Sequence, residues 1–215
     1  MADHRRKFSR EPASQRRDAL IRATLALIAE KGVQAATVRE IAKAANVTQG
    51  LIRHYFSTKE ELVSAAYEQH MGELTDATLA SVQSAGQSPV ARLAAYVAAG
   101  LRPPIVDPNA VSLWASFLNR VRHDERMRTT HERTYRDFRD QLEALIKDAL
   151  METGKKTDER ELRRLAIACN AVIDGLWLEG GALPDTFEPD EPAQIGLASV
   201  SAIIGIELKD EVGTS

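Results

Sequence analysis

Residues 38–56 read VREIAKAANVTQGLIRHYF, and their sizes call for two short helices joined by a tight turn. Ala42 is small where a second helix must cross the first closely. Asn46 stands where such a turn forces a positive φ, which glycine takes freely and asparagine takes better than most side chains. Val47 and Ile52 supply the apolar wedge that fixes the interhelical angle, and Thr48 is placed to cap the second helix. This is a helix-turn-helix pattern, whose second helix fits a major groove about 12 Å wide. The cap also turns free amides and the positive end of the helix dipole outward, toward phosphate.

On the second helix, Gln49, Gly50, Arg53 and His54 are the polar or small positions, while Leu51 and Ile52 alternate between contact and core. Gln49 has the geometry to read adenine and Arg53 to read guanine, each in bidentate fashion, and Leu51 suits a thymine methyl. Gly50 lets the helix start approach a backbone. Tyr55 and Lys59, at the start of the next helix, are placed to hold phosphates. Arg39, on the first helix of the pair, and Thr48 complete the candidate DNA contacts. A helical hairpin with a purely structural role has no need of Ala42, Asn46 and Thr48 together with local positive charge.

Outward from this segment the helical period persists. Leu20, Ala23, Thr24, Leu27 and Ile28 follow i, i+3, i+4, i+7, i+8 spacing, with Ser14 as expected N-cap and Gly32 as expected stop, giving a first helix over about 14–31. Thr37-Val38-Arg39-Glu40 and Thr58-Lys59-Glu60-Glu61 are capping boxes, opening helices over about 38–45 and 58–84. Further helices are expected at about 88–101, 108–122, 125–152, 158–179 and 190–208, separated by proline and glycine, Gly180-Gly181 among them. No stretch alternates strictly enough for a strand. The expected fold is all-α, with eight to nine helices: a charged arm over 1–12 without fixed structure, a helix-turn-helix domain over 13–57, and a helical body over 58–210.

The chain has 215 residues, 44% hydrophobic and 27% charged, which is ordinary for one or two globular domains and excludes collagen-like and wholly disordered classes. Its sole cysteine, Cys169, excludes an intrachain disulfide framework and a thiolate zinc cluster, and fits a reducing cytosol. The net charge of −3 hides an asymmetry: residues 1–62 carry 12 Lys+Arg against 7 Asp+Glu, whereas the remainder carry 16 against 24. A basic front on an acidic body is the outline of a polyanion-binding module attached to a domain that avoids polyanions. The longest uncharged runs, such as Pro192 to Ile206, hold 15 residues, short of the roughly 18–20 that a membrane span requires, so no bilayer crossing is expected. The charged N-terminus leads into no apolar signal core, and a cytoplasmic protein is expected.

The first 62 residues resemble the DNA-binding domain of TetR-family transcriptional regulators: an apolar first helix, a Thr-Val-Arg-Glu-Ile-Ala-Lys-Ala-Ala segment, a short helix ending His54-Tyr55-Phe56, and a Ser57-Thr58-Lys59-Glu60-Glu61-Leu62 entry to the fourth helix. Two positions depart from that pattern, Asn46 for the usual turn glycine and Arg53 where many members carry tyrosine. The wording Gly50-Leu-Ile-Arg-His-Tyr-Phe, and later Val172-Ile-Asp-Gly-Leu-Trp-Leu178, is closer to the choline-responsive, BetI-type branch than to the tetracycline-responsive one. The resemblance implies a homodimeric, ligand-responsive repressor that binds a palindromic double-stranded operator and is released by a small-molecule effector.

The body carries its own signals. The helix over about 158–179 turns apolar almost all round after a polar start, and the last helix has a similar excess. One chain cannot easily bury both, so the two are expected to meet their copies in a four-helix bundle, through Ile167, Ala171, Leu178, Leu197, Val200 and Ile204. Of only 11 aromatic residues, Tyr96, Trp114, Phe117, Tyr135 and Trp177 are candidate pocket residues, with Phe138 beside Tyr135 and Asp174 embedded in an apolar run. An aromatic box with a carboxylate suits an organic cation, although aromatics at helical spacing also serve as plain core, and Asn119, Arg120, Arg122 and Asn170 equally permit an anion.

No metal or cofactor is expected. His123 and His131 are eight residues apart, about 12 Å along an ideal helix, and no phosphate loop, dinucleotide fingerprint, His-Glu-x-x-His pair or nucleophile elbow occurs. An enzyme is therefore disfavoured, and a helical protein-binding adaptor is the remaining alternative.

Overall fold

A computed structural model describes residues 13–209. Among them the chain forms nine α-helices, one 3-10 turn and no strand: α1 (Ala13–Ala35), α2 (Val38–Ala44), α3 (Gln49–Tyr55), α4 (Lys59–Ser84), α5 (Pro89–Gly100), α6 (Pro108–Val121), α7 (Glu125–Glu152), α8 (Glu159–Ala182) and α9 (Glu191–Ile204), with the turn at Pro184–Thr186. The arm expected over 1–12, and residue 210 of the expected body, lie outside the described residues. Contacts divide the chain into two compact units between Ala66 and Tyr67, whereas the sequence suggested a boundary after residue 57. The first turns of α4 stay with the first unit: Leu62, Val63 and Ala66 are buried there, and the Lys59 ammonium donates to the Val33 carbonyl at 3.3 Å.

In the first unit α1 packs on α2 and α2 on α3, around Leu20, Ile21, Ile28, Ile41 and Ile52. Helix α1 already includes Ala13, so Ser14, expected to cap it, lies inside the helix. Gly32, at φ 76° and ψ 164°, breaks the helical backbone, which resumes before Ala35. The turn between α2 and α3 closes as the sequence leads one to expect. Asn46 has φ 54°, its amide donates to the Lys43 carbonyl at 3.2 Å, and the Val47 amide donates to the Ala42 carbonyl at 2.9 Å. Those two bonds form a Schellman motif, with asparagine in the left-handed position that glycine usually fills.

The capping boxes form by half. Thr37 and Thr58 hydroxyl oxygens accept from the amides of Glu40 and Glu61 at 3.2 and 3.0 Å. The Glu61 carboxylate reaches one residue further back than the box requires and accepts from the Ser57 amide at 2.8 Å.

In the second unit the starts of α5 to α8 are marked chemically, whereas α9 begins after Asp190, at φ 66°, with no side-chain cap. Ser88, Asp107, Asp124 and Asp158 accept from amides of the first turns of α5, α6, α7 and α8, each cap contributing about 1 kcal/mol. Helix α5 packs on α7 and α9, and α8 packs on α6, α7 and α9, enclosing Leu93, Val97, Leu142, Ile146, Ala166 and Val200. Gly180-Gly181 does not end α8, which runs on to Ala182. Both glycines are buried, and a Cβ on Gly181 would collide with the Val111 side chain of α6. They are needed for close approach between helices, which a reading of glycine as punctuation overlooks. Helix α9 stops at Ile204, four residues short of the expected end, because Gly205 takes φ 67°. Helix α8 also has the length and hydropathy of a membrane span. Its apolar part holds Asp174 and Glu179, and one side of it packs on α6, α7 and α9 while the other is exposed.

Candidate nucleic-acid interface and effector cavity

Helix α3 separates its two faces cleanly. Ile52 and the capping Phe56 are 2% exposed each, while Gln49, Gly50, Arg53 and His54 are exposed and Leu51 and Tyr55 half-buried. The Thr48 hydroxyl accepts from the Leu51 amide at 3.2 Å, which fixes the helix start. His54 and Tyr55 rings stand edge to face with centroids 5.2 Å apart. Arg39 and Thr48 are exposed as well. Lys59 differs: it is half-buried, with its ammonium on the Val33 carbonyl, so it fastens α4 to the end of α1. The Arg17 guanidinium, which the sequence did not single out, lies 5.2 Å over the Phe56 ring and braces the end of α3. A cation over an aromatic ring leaves no periodic signal in the sequence.

The second unit contains a cavity of about 300 Å³ lined by α4, α5, α6, α7 and α8. Of the residues expected there, Trp114, Tyr135, Asp174 and Trp177 line it. Tyr96 and Phe117 do not: Tyr96 is 1% and Phe117 0% exposed, Tyr96 donating to the Phe138 carbonyl at 3.4 Å and Phe117 packed against Tyr67 with centroids 4.9 Å apart. They are core, the plainer fate of aromatics at helical spacing. The remaining wall includes Phe138, Ile105 and Ile173. A side of it was missed in the sequence: Met71, Leu74, Thr75 and Thr78 of α4 follow i, i+3, i+4, i+7 spacing, a stripe that two threonines disguise as polar.

At one wall the Tyr135 hydroxyl donates to Asp174 Oδ2. Asn170 Nδ2 donates to the same carboxylate oxygen at 2.8 Å and to the Tyr135 oxygen at 2.9 Å. Burial raises the Asp174 pKa, and these two hydrogen bonds pull it back only in part. Burial, then the bond to Asp174 and its charge, push the Tyr135 phenol up to about 12. Trp114 and Trp177 meet edge to face at 5.8 Å, and the Trp177 indole is pinned by donating to the Ile105 carbonyl at 2.8 Å. Asn119 and Arg122 are exposed and absent from the wall, and Arg120 pairs with Asp124 at 3.7 Å. The cavity is thus aromatic and apolar with a single carboxylate, and the cationic side chains that would favour an anion point elsewhere.

The expected dimer residues divide. Ile167, Ala171 and Leu178 are exposed on α8, in one stripe with Ala168 and Ala182. Leu197, Val200 and Ile204 are 7, 0 and 5% exposed and belong to the protomer's own core. The apolar positions that α9 does present are Ile195, Ala198 and Ala202. A uniformly apolar helix hides which side faces its own protein.

Comparison with known proteins agrees with this architecture. The family model for bacterial regulatory proteins of the tetR family matches residues 20–66, and that for the C-terminal domain of BetI-type transcriptional repressors matches residues 89–205. The HTH-type transcriptional regulator BetI of Paraburkholderia phymatum is 32% identical over 86% of this chain and 89% of its own length. BetI of Burkholderia thailandensis is 31% identical over 86% and 90%. The crystal structure of a transcriptional regulator from Pseudomonas aeruginosa PAO1 superposes with a TM-score of 0.83 at 32% identity, covering 93% of this chain and 95% of that one.

Proposed function

Since the chain belongs to the TetR family of DNA-binding transcriptional regulators, with a C-terminal domain of the BetI-type repressor class, we propose that it is a cytoplasmic, effector-released repressor that binds a palindromic operator as a homodimer. It is a regulator, not an enzyme. Exposure of Gln49, Gly50, Arg53 and His54 on one side of α3 supports their entry into the major groove, with Leu51 and Tyr55 at the edges and Arg39 and Thr48 toward phosphate. A single reading helix makes few base contacts, whereas two on a twofold axis add their free energies across half-sites one helical turn apart. The apolar stripe of α8 and the exposed small residues of α9 support the twofold interface.

The effector is a small apolar organic cation. The single observation that carries this reading is Asp174, a carboxylate on the wall of an otherwise aromatic and aliphatic cavity. A desolvated carboxylate without a cationic partner is costly, and a bound cation relieves that cost while its apolar body fills the remainder. Helix α4 lines the cavity through Met71, Leu74, Thr75 and Thr78, so occupancy shifts the population of α4 positions and operator affinity changes by the same coupling factor. The test is recovery of bound sequences from a random DNA pool, followed by operator release measured by fluorescence anisotropy with cationic, neutral and anionic amphiphiles of matched size. Release by cations alone supports the reading. Release by anions, or by none of the three, overturns it.

A further inference from the structure

Resting on the reading of this protein as a homodimer with a cation-binding cavity, we propose that the effector site is complete only in the dimer. The second copy lies across the mouth of the cavity at Gly175 and Leu178, so that effector binding and dimerisation strengthen one another. Among the described residues that line the cavity, Gly175 and Leu178 alone are exposed, and the others are buried or half-buried. Both belong to α8, so the cavity opens to solvent along that helix.

The mouth is continuous with the exposed apolar strip of α8. Ile167, Ala171, Gly175, Leu178 and Ala182 are all exposed and follow one another at intervals of four, four, three and four residues, the spacing of one helix face. Gly175 adds a separate sign. Gly180 and Gly181 of the same helix are crowded by Val106 and Val111, whereas a Cβ built on Gly175 meets nothing within 4 Å. A glycine inside a helix is destabilising relative to alanine, and no contact within its own protomer requires this one. The close approach it permits is therefore to something outside the protomer. A second α8 is the occupant whose surface matches, because a twofold axis sets the same low, apolar strip against itself. Covering the mouth shuts water out of the cavity. Attraction between the Asp174 carboxylate and a bound cation then strengthens as the effective dielectric falls, and the cation in return relieves the carboxylate's desolvation. Each event favours the other by one and the same factor.

The covering is tested without any ligand, because Trp114 and Trp177 are the two tryptophans of the chain and both line the cavity. Acrylamide quenching of their emission is compared between the parent and the variants Ala171→Glu, Ala171→Arg and Ile167→Glu, with oligomeric state read by sedimentation velocity. None of these positions lines the cavity, and all are exposed. The variants are expected to be monomers and to be quenched more steeply than the parent dimer. Dilution of the parent through its own dissociation gives the same comparison with no substitution. Isothermal titration with choline and with n-hexyltrimethylammonium should then show the monomers binding about tenfold more weakly than the parent. The two charges at position 171 separate dissociation from simple electrostatics, since a new glutamate attracts a cation and a new arginine repels it. Weakening by Ala171→Arg alone overturns the coupling. Monomers quenched no more steeply than the dimer overturn the covering and leave the homodimer and cation readings standing. Variants that remain dimeric place the interface elsewhere and overturn it too. A parent that sediments as a monomer removes the homodimer reading and this inference together, whereas a parent dimer that binds neither ammonium overturns the cation reading and the coupling, the quenching comparison still deciding whether the mouth is covered.

Discussion

The Tyr135 hydroxyl and the Asp174 carboxylate share one hydrogen bond at the cavity wall, joining α7 to α8 at a point where burial raises the pKa of both groups. An acid whose pKa in the folded chain is raised above the unfolded value, about 3.9 for aspartate, stabilises the fold most below that unfolded value. The stabilisation is lost as pH rises through the folded pKa. The ligand-free protein is therefore expected to lose melting temperature between pH 4 and 7.5 by a component absent in Asp174→Asn. At pH 7.5 the variant should melt higher than the parent. Scanning calorimetry of both proteins across this range checks the sign, and a variant that melts lower at every pH contradicts it.

The left-handed turn offers a test independent of ligand. Asn46 at φ 54° closes the Schellman bonds that set α3 against α2, and a residue with a plain Cβ is strained there by about 1–2 kcal/mol. Asn46→Ala should destabilise the first unit by roughly that amount, while Asn46→Gly should be neutral or slightly stabilising. Urea unfolding followed by amide exchange of α2 and α3 measures both. Equal losses for Ala and Gly would assign the role to the asparagine side chain instead.

Substitutions at Arg53 and Arg39 are expected to separate base reading from phosphate holding. Arg53 is exposed on the outer side of α3 and Arg39 on α2. Arg53→Ala should cost about 1–3 kcal/mol on the selected operator and little on random duplex, whereas Arg39→Ala should weaken all sequences alike and reduce the salt slope by about one. Lys59→Ala should act mainly through the stability of the first unit, because its ammonium is bound to the Val33 carbonyl. Anisotropy titrations at several salt concentrations, with specific and scrambled duplexes, distinguish the three. Identical salt slopes for Arg39→Ala and the parent would remove Arg39 from the phosphate contacts.

How much the sequence discloses depends on whether the signal is local. The helix starts are legible because caps act within four residues: Thr37, Thr48, Ser88, Asp107, Asp124 and Asp158 all bond the amides their positions imply. Asn46 is legible for the same reason. Gly180-Gly181 was misread as a stop because its cause, Val111 on another helix, is a tertiary contact. Tyr96 and Phe117 share composition and spacing with Trp114 and Tyr135, and only packing against Phe138 and Tyr67 shows them to be core. The α4 wall is not legible because Thr75 and Thr78 interrupt its apolar stripe, and only the fold shows that they spend their hydroxyls on their own helix.

The same distinction between apolar and exposed fixes the last prediction. Ile167, Leu178 and Ile195 are 38, 42 and 39% exposed, an unusual degree for large apolar side chains gathered on neighbouring helices. Between them Ala168, Ala171 and Gly175 keep the α8 surface low, and a Cβ built on Gly175 meets nothing within 4 Å, so there is room for a second helix to approach. Ala171→Glu places a charge at the centre of that stripe, where a partner copy would desolvate it. It should convert the protein to monomer at micromolar concentration and cost at least about tenfold in operator affinity, with the melting of the isolated protomer little changed. Val200→Ala, deep inside the protomer, should behave in the opposite way, lowering stability by about 1 kcal/mol or more through the lost methyl groups while leaving the oligomeric state as it was. Sedimentation velocity read beside thermal unfolding separates the two. If Ala171→Glu sedimented as the parent does while Val200→Ala dissociated, the interface would lie on α9's inner residues after all.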